Sequence, residues 1–289
     1  MFNEMSWGKK NRMGQIIQAD GRALMLAIDH GYFMGPTRGM EVPSKALEPL
    51  LAHADSLMLS PGILSSSVPV TFKGGKVLRA SGGNVILDED MSNEAVILSA
   101  QQAVRLDASA IAISIYVGAE YQHQTLMNLA QAIEDASDYE LPVLGVTAVG
   151  KEMKEKATDK RFLALSCRIA AEFGADIVKT YYCDGFEEVV AKTPVPIVIA
   201  GGPRLDTYED ILRLCHNALE RGAVGVDMGR NIWQSEHPAA IIQGVRGIVH
   251  GGLNVAEALD LVNSLATDEN RRTEYFAAHP DDAAVQTKH

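Results

Sequence analysis

The sequence predicts an α/β chain closed as a single (β/α)8 TIM barrel. Eight short runs of apolar and β-branched residues alternate with helical patterns along the chain. The runs are apolar throughout, as expected of parallel strands buried on both faces. Their alternation fills about 250 residues, with no stretch that reads as a linker. Two doubly wound sheets would give a similar alternation, but the count of eight and this length favour closure.

Residues 1–21 read as a polar amino-terminal arm with a short helix around 11–18. The barrel is expected over 22–252. Its first strand, Ala23–Ile28, ends in Asp29-His30-Gly31 and leads to a helix from Pro43 to His53. The second, Ser56–Leu59, runs into Ser60-Pro61-Gly62, after which the connection reads as a short helix or only a turn. The third, Lys76–Ala80, precedes Ser81-Gly82-Gly83-Asn84, and a helix is expected from Ser92 and Glu94 to Asp107. The fourth, Ala108–Val117, leads into a long helix near 121–136. The fifth, Leu141–Thr147, opens a polar loop before a helix over Lys160–Phe173. The sixth is the stretch Ala175–Tyr182, followed by a short helix over Phe186–Lys192. The seventh, Val195–Ala200, ends Gly201-Gly202-Pro203-Arg204, before a helix over Thr207–Arg221. The eighth, Ala223–Met228, ends Gly229-Arg230-Asn231, and a helix over Pro238–Val249 closes the cycle. An extra helix and a polar tail are expected over 253–289.

Composition sets further bounds. Hydrophobic residues at 47% and charged residues at 22% are ordinary for a globular chain of 289 residues. A net charge of −11 argues against nucleic acid or an acidic membrane as partner. No apolar run reaches the roughly 20 residues of a membrane helix, and the first 20 residues carry no signal-peptide core. Cys167, Cys183 and Cys215 are too few and too scattered for a disulfide framework, so a reducing cytoplasm is the expected setting. Cys167 and Cys215 read as core; Cys183, following the sixth strand, reads as core or as a reactive thiol. No His/Asp/Glu cluster has metal-ligand spacing, so no metal is expected.

In a barrel the carboxyl ends of the strands share one face, where active sites lie. The sixth strand places Lys179 near that end. Burying its charge costs several kcal/mol by rough estimate, so such a lysine holds an anionic partner or gives up its proton. Two readings follow: a Schiff-base nucleophile, or a lysine that reaches the strand end and pairs with a carboxylate. Asp29 is a turn residue or a carboxylate that orients the amine and moves protons. His30 joins that work, binds a substrate oxygen, or is structural. Arg79 is expected to pair with a barrel carboxylate. Glu120, Tyr121 and His123 could line the mouth or an interface. Gly201 and Gly202 after strand seven, with Gly229 and Arg230 after strand eight, form two loops where backbone N–H groups could approach a phosphate. The alternative is that these glycines only make tight turns.

These residues carry a resemblance. The segments AIDHGYFMGPTRG (27–39), LRASGGN (78–84), SNEAV (92–96), VKTYY (178–182), VPIVIAGG (195–202) and GVDMGRNIWQSEHP (225–238) resemble the archaeal-type (DhnA) fructose-bisphosphate aldolase family of class I aldolases. The resemblance covers roughly residues 20–250. It implies a (β/α)8 barrel, a Schiff-base lysine at Lys179, and Asp29 beside it. It also implies phosphate held by Gly201, Gly202, Gly229 and Arg230, and a ring-shaped homo-oligomer of ten copies. The chain is most similar to the branch that cleaves 3-hydroxy-5-phosphonooxypentane-2,4-dione with coenzyme A. That branch yields dihydroxyacetone phosphate and acetyl-CoA, with coenzyme A as co-substrate and no bound cofactor.

One departure bears on the chemistry. Family aldolases are expected to carry a catalytic tyrosine just after strand five, but here that region reads Gly145-Val146-Thr147-Ala148-Val149-Gly150. Aldol cleavage must deprotonate an alcohol; thiolysis needs this group less. Tyr116 or Tyr182 are the candidate substitutes. Two rival functions remain: an aldolase of a sugar phosphate, active without coenzyme A, and a phosphometabolite-binding barrel with no turnover.

Overall fold

The computed structural model describes residues 5–278; residues 279–289 of the expected polar tail lie outside them. Eight parallel strands close a barrel: β1 (Ala23–Ala27), β2 (Ser56–Leu59), β3 (Gly75–Arg79), β4 (Ala110–Ile115), β5 (Val143–Thr147), β6 (Ile177–Thr180), β7 (Ile197–Ala200) and β8 (Gly225–Met228). Each pairs with its neighbours in sequence, and β1 joins β8 through Ala23 opposite Gly225 and Met25 opposite Asp227. Nearly every strand residue is buried, as the uninterrupted apolar runs require.

The surrounding helices begin where side chains can satisfy free backbone N–H groups. Asp159 accepts from the amides of Arg161 and Phe162 to start the helix Lys160–Glu172. Thr207 caps Tyr208–Glu220, whose first turn carries Glu209 and Asp210 where the helix dipole favours negative charge. Their apolar faces pack onto the outside of the strands and form the larger of two cores.

The second core fills the barrel interior. The arm forms a helix over Trp7–Met13, earlier than the expected 11–18, because Ser6 caps it by accepting from the Lys9 amide. Met13, Ile16 and Ile17 then turn inward and pack with Met25, Met58, Leu144, Ile177 and Val198. The arm is therefore the barrel's floor. Lys9 ties it down by donating to Asp176 at 2.9 Å, and Arg12 donates to the Ala108 carbonyl at 2.9 Å.

The expected helix from Ser92 is corrected. Ser81–Gly82 and Ala95–Val96 form a small antiparallel ladder, and the helix begins only at Ala100, with Ser99 and Gln102 as a capping box. Glu94 is buried, and its carboxylate takes hydrogen bonds from side chains of the barrel mouth, which a helix start on the surface would forbid. The connection after β2 is a helix, Pro61–Ser67. The last helix runs Val255–Ala278 and packs on the helices Pro238–Val249 and Tyr208–Glu220. Among the described residues no helix is long and apolar enough to cross a membrane.

A clamp closes the amino-terminal end. His250 bridges Asp20 and Asp55 at 2.7 Å on each ring nitrogen; Asp55 also accepts from the Leu24 amide and from Arg246. The hydrogen bond to Asp55 raises the His250 pKa against the effect of burial. Burial pushes Asp20 and Asp55 up, but the bond to His250 together with backbone amide bonds and, for Asp55, the bond from Arg246 outweighs it, so both lie below the usual range. The imidazolium contribution is complete below the unfolded value of about 6.5 and is lost as pH rises through the raised folded value. The carboxylate contributions are complete above about 4 and are lost as pH falls through the folded values. The clamp is thus strongest between about pH 4 and 6.5. H250Q is expected to lower the melting temperature most in that window and progressively less toward pH 9. A melting-temperature difference that does not change with pH would show that the clamp carries no ionic component.

Candidate active site

The carboxyl ends of the strands surround a cavity of about 590 Å³. Lys179, Asp29, His30, Gly201, Gly202, Gly229 and Arg230 all line it, together with Arg79, Tyr32, Tyr116, Ser114, Tyr181 and Asp227. With Thr147 of β5, residues from seven of the eight strands and their loops meet at one place, although they are scattered over two hundred positions of sequence.

Lys179 is 8% exposed, Asp29 5% and Asp227 1%. Two ion pairs organise these charges. Lys179 Nζ lies 2.8 Å from Asp227 Oδ2 and 3.5 Å from Met58 Sδ. Met58, Lys179 and Asp227 come from β2, β6 and β8, alternate strands that contribute to a common interior layer. Asp29 pairs instead with Arg79, whose Nε and Nη2 both donate to Asp29 Oδ2 at 3.1 and 2.8 Å. Arg79 Nη1 donates to Ser114 Oγ at 2.6 Å, and the guanidinium lies over the Tyr32 ring. The expected partner of Arg79 is therefore present. The carboxylate against the lysine amine, however, is that of Asp227.

The two aspartates have opposite electrostatics. Burial raises the Asp227 carboxyl, and the Lys179 cation only partly opposes it. Burial would also raise Asp29, but the Arg79 charge, with His30 and Lys179, holds it down at about 2. His30 is lowered to about 4, first by burial and then by the cations of Lys179, Arg230 and Arg79, so its ring is neutral at pH 7. Its Nδ1 is 3.6 Å from Asp29 Oδ1, buried, and without a hydrogen-bond partner.

The two glycine loops meet below His30. Gly229 sits so close to β1 that a Cβ there would lie 2.3 Å from the Ala27 carbonyl oxygen and 2.8 Å from the His30 ring. Gly202 has a φ of +65°, which L side chains adopt with strain. Asn231 pins the strand-seven loop, donating to the Gly201 carbonyl at 2.8 Å and accepting from the Leu205 amide at 2.8 Å. Arg230 donates through Nη2 to the Gly202 carbonyl at 3.1 Å, while its Nε is buried without a partner. A buried, unpaired guanidinium N–H facing two side-chain-free loops can accept an anion.

Neither candidate substitute for the tyrosine after strand five is a free phenol in the cavity. Tyr116 lines it, but its hydroxyl donates to Glu94 at 3.3 Å, beside that of Tyr32 at 2.9 Å. Burial, with Glu94 close by, pushes both phenols up, so they stay protonated. Tyr182 does not line the cavity; it packs on Phe186 and under Arg221, and Tyr181 lines the wall instead. Glu120, Tyr121 and His123 do not line the cavity either. Cys183 is buried outside it, and burial with Asp184 nearby pushes its thiol up, against thiolate reactivity. Among the described residues no three His, Cys, Asp or Glu side chains could hold a metal ion.

Asp227 and Glu94 escaped the reading of strand ends. Asp227 did carry a signal: it is an acid inside the apolar run Ala223–Met228, the same anomaly that singled out Lys179. Glu94 carried none, because only the folded loop turns it inward.

The family model for DeoC/LacD family aldolases matches residues 23–235. A 3-hydroxy-5-phosphonooxypentane-2,4-dione thiolase from Yersinia pseudotuberculosis is 48% identical over 259 residues, covering 89% of this chain and 87% of its own. The protein of that name from Escherichia coli K12 is equally similar, as is an uncharacterized aldolase from Pasteurella multocida. Among solved structures, a Schiff-base-forming fructose-1,6-bisphosphate aldolase superposes with a TM-score of 0.75 at 28% identity, over 84% of this chain and 100% of its own. With its lysine inside a closed parallel barrel, the chain belongs to the DeoC/LacD aldolase family and is an enzyme of the class I aldolase type.

Proposed function

We propose that this enzyme cleaves 3-hydroxy-5-phosphonooxypentane-2,4-dione with coenzyme A, giving dihydroxyacetone phosphate and acetyl-CoA. The observation that carries the reading is the position of Lys179: a buried primary amine in a cavity that is also lined by the Gly201-Gly202 and Gly229-Arg230 loops, which follow the next two strands of the ring. Such spacing lets one end of a phosphorylated ketone sit on the loops while its carbonyl meets the amine. The similarity to proteins named for this thiolysis supports the choice of substrate and of the thiol.

Lys179 condenses with the ketone nearer the phosphate. Coenzyme A thiolate attacks the other ketone. The bond between that carbonyl carbon and the hydroxylated carbon breaks, and its electron pair moves into the iminium to form an enamine. Protonation of the enamine and hydrolysis of the imine release dihydroxyacetone phosphate. Gly201, Gly202 and Gly229 offer backbone N–H groups to the phosphate, and Arg230 offers its unpaired Nε. Neutral His30 hydrogen-bonds a substrate oxygen. Both Arg79 bonds fall on Asp29 Oδ2, so Oδ1 is left to orient a substrate hydroxyl. Thiolysis has no alcohol to deprotonate and so needs the phenol missing after β5 less, which favours this reading over sugar-phosphate aldol cleavage. The exposed apolar side chains of Val85, Leu87 and Ile97 support burial against further copies of the chain, in a decamer. Three free, buried cysteines suit the reducing cytoplasm proposed as its setting.

The test is product formation. Acetyl-CoA and dihydroxyacetone phosphate are expected in equal amounts from the dione, only when coenzyme A is present. Cleavage at an unchanged rate without coenzyme A would move the reading to an aldolase. R230A is expected to raise KM for the phosphorylated substrate about 10–100-fold with a smaller change in kcat, since hydrogen bonds to charged groups contribute roughly 1.5–3 kcal/mol. An R230A enzyme with unchanged KM would remove the phosphate from this end of the cavity.

A further inference from the structure

We infer that Asp227 is the catalytic proton carrier of Schiff-base formation, taking the proton from Lys179 and returning it to the leaving hydroxyl. The inference rests on the Schiff-base reading above and assigns a step to a residue outside it.

The argument is geometric. Asp227 Oδ2 is 2.8 Å from Lys179 Nζ, within direct proton-transfer reach. Neither Asp227 oxygen has a hydrogen-bond partner in good geometry, so no second donor competes for its lone pairs. Asp29, the other carboxylate in the cavity, has one oxygen taken twice by Arg79 and is a far weaker base at about 2. Burial makes Asp227 the stronger base of the two. It lies on β8 two residues before Gly229, and it lines the same cavity as Lys179 and the glycine loops. Glu94 is occupied by Tyr32, Ser81 and Tyr116.

The step balances without any further reactant. Asp227 removes one proton from the Lys179 ammonium, leaving a neutral amine and a carboxylic acid. The amine's lone pair forms the bond to the ketone carbon, and the carbonyl electron pair moves to oxygen. One proton passes from nitrogen to that oxygen, giving the neutral carbinolamine. Asp227 then donates its proton to the hydroxyl, which leaves as water while the nitrogen lone pair forms the iminium. The carboxylate is restored, now paired with the iminium cation. Hydrolysis runs the same path in reverse.

The experiment measures the rate of borohydride trapping of dihydroxyacetone phosphate on the full-length protein by intact mass. Peptide mapping identifies the modified residue. Wild type is expected to trap one adduct on Lys179. D227N and D227S, checked for a cooperative melt and for inorganic phosphate binding, are expected to trap about 10²–10⁴-fold more slowly. Their phosphate affinity should remain close to wild type. D227E should recover part of the rate, and formate should accelerate D227S saturably by supplying the missing carboxylate. Trapping at the wild-type rate in either folded D227N or D227S would overturn the inference while leaving the Schiff base intact. Absence of an adduct in wild type would instead overturn the Schiff-base reading itself.

Discussion

Replacing Lys179 by methionine is expected to abolish turnover, by roughly 10⁴–10⁶-fold, and to remove the borohydride adduct entirely. The effect is this large because, in the proposed mechanism, the amine is the nucleophile and its imine the electron sink, and no neighbouring group can take both parts. The variant should nevertheless fold. Removing the lysine leaves Asp227 buried alone, but burial already raises its pKa and Lys179 is the leading influence opposing that. Without the cation the carboxyl simply keeps its proton, which avoids a buried charge. K179M should therefore melt cooperatively and still bind inorganic phosphate. Steady-state turnover and intact mass after borohydride check this together. Turnover above about 1% of wild type in K179M would rule out covalent catalysis at this residue.

The second large effect falls on stability. R79M is expected to cost about 3–5 kcal/mol, because removing one member of a buried pair leaves the other charge uncompensated. Arg79 serves Asp29 through two hydrogen bonds, Ser114 through a third, and the Tyr32 ring through its face. Asp29 loses more than Asp227 would, since the guanidinium is the chief influence holding its carboxyl at about 2, and the stability tied to that lowering is forfeited even if the acid then takes up a proton. With a folded value below the unfolded one of about 3.9, Asp29 contributes stability above about pH 4 that is lost as pH falls through about 2. In R79M this acid-side loss should disappear. Adding D29N should recover part of the destabilisation, because the orphaned charge goes with it. Denaturant midpoints at pH 7 and pH 3 for the four proteins of the cycle measure both effects. Strictly additive losses from R79M and D29N would show that the pair is not coupled.

The barrel and its chemical face were legible from residues alone for a simple reason. A parallel strand is buried on both faces, so each of the eight announces itself as an uninterrupted apolar run, and a charged residue in such a run stands out. Lys179 was found that way. Gly201-Gly202 after Ala200 and Gly229 after Met228 were found because close backbone approach leaves a mark in sequence. What remained hidden was partnership. Asp29 meets Arg79 two strands further round the ring, and Lys179 meets Asp227 two strands further round in the same direction. Both pairings depend on which side chains share an interior layer when the sheet closes, and that is decided by strand stagger across the whole ring. The inward turn of Glu94 and the floor made by Met13, Ile16 and Ile17 have the same origin. Their local sequence looks polar or irregular, and only the closed barrel offers the space that they fill. The residues alone thus singled out the lysine of the barrel mouth; tertiary structure decided which carboxylate stands against its amine, because proximity inside a barrel is set by the shape of the sheet.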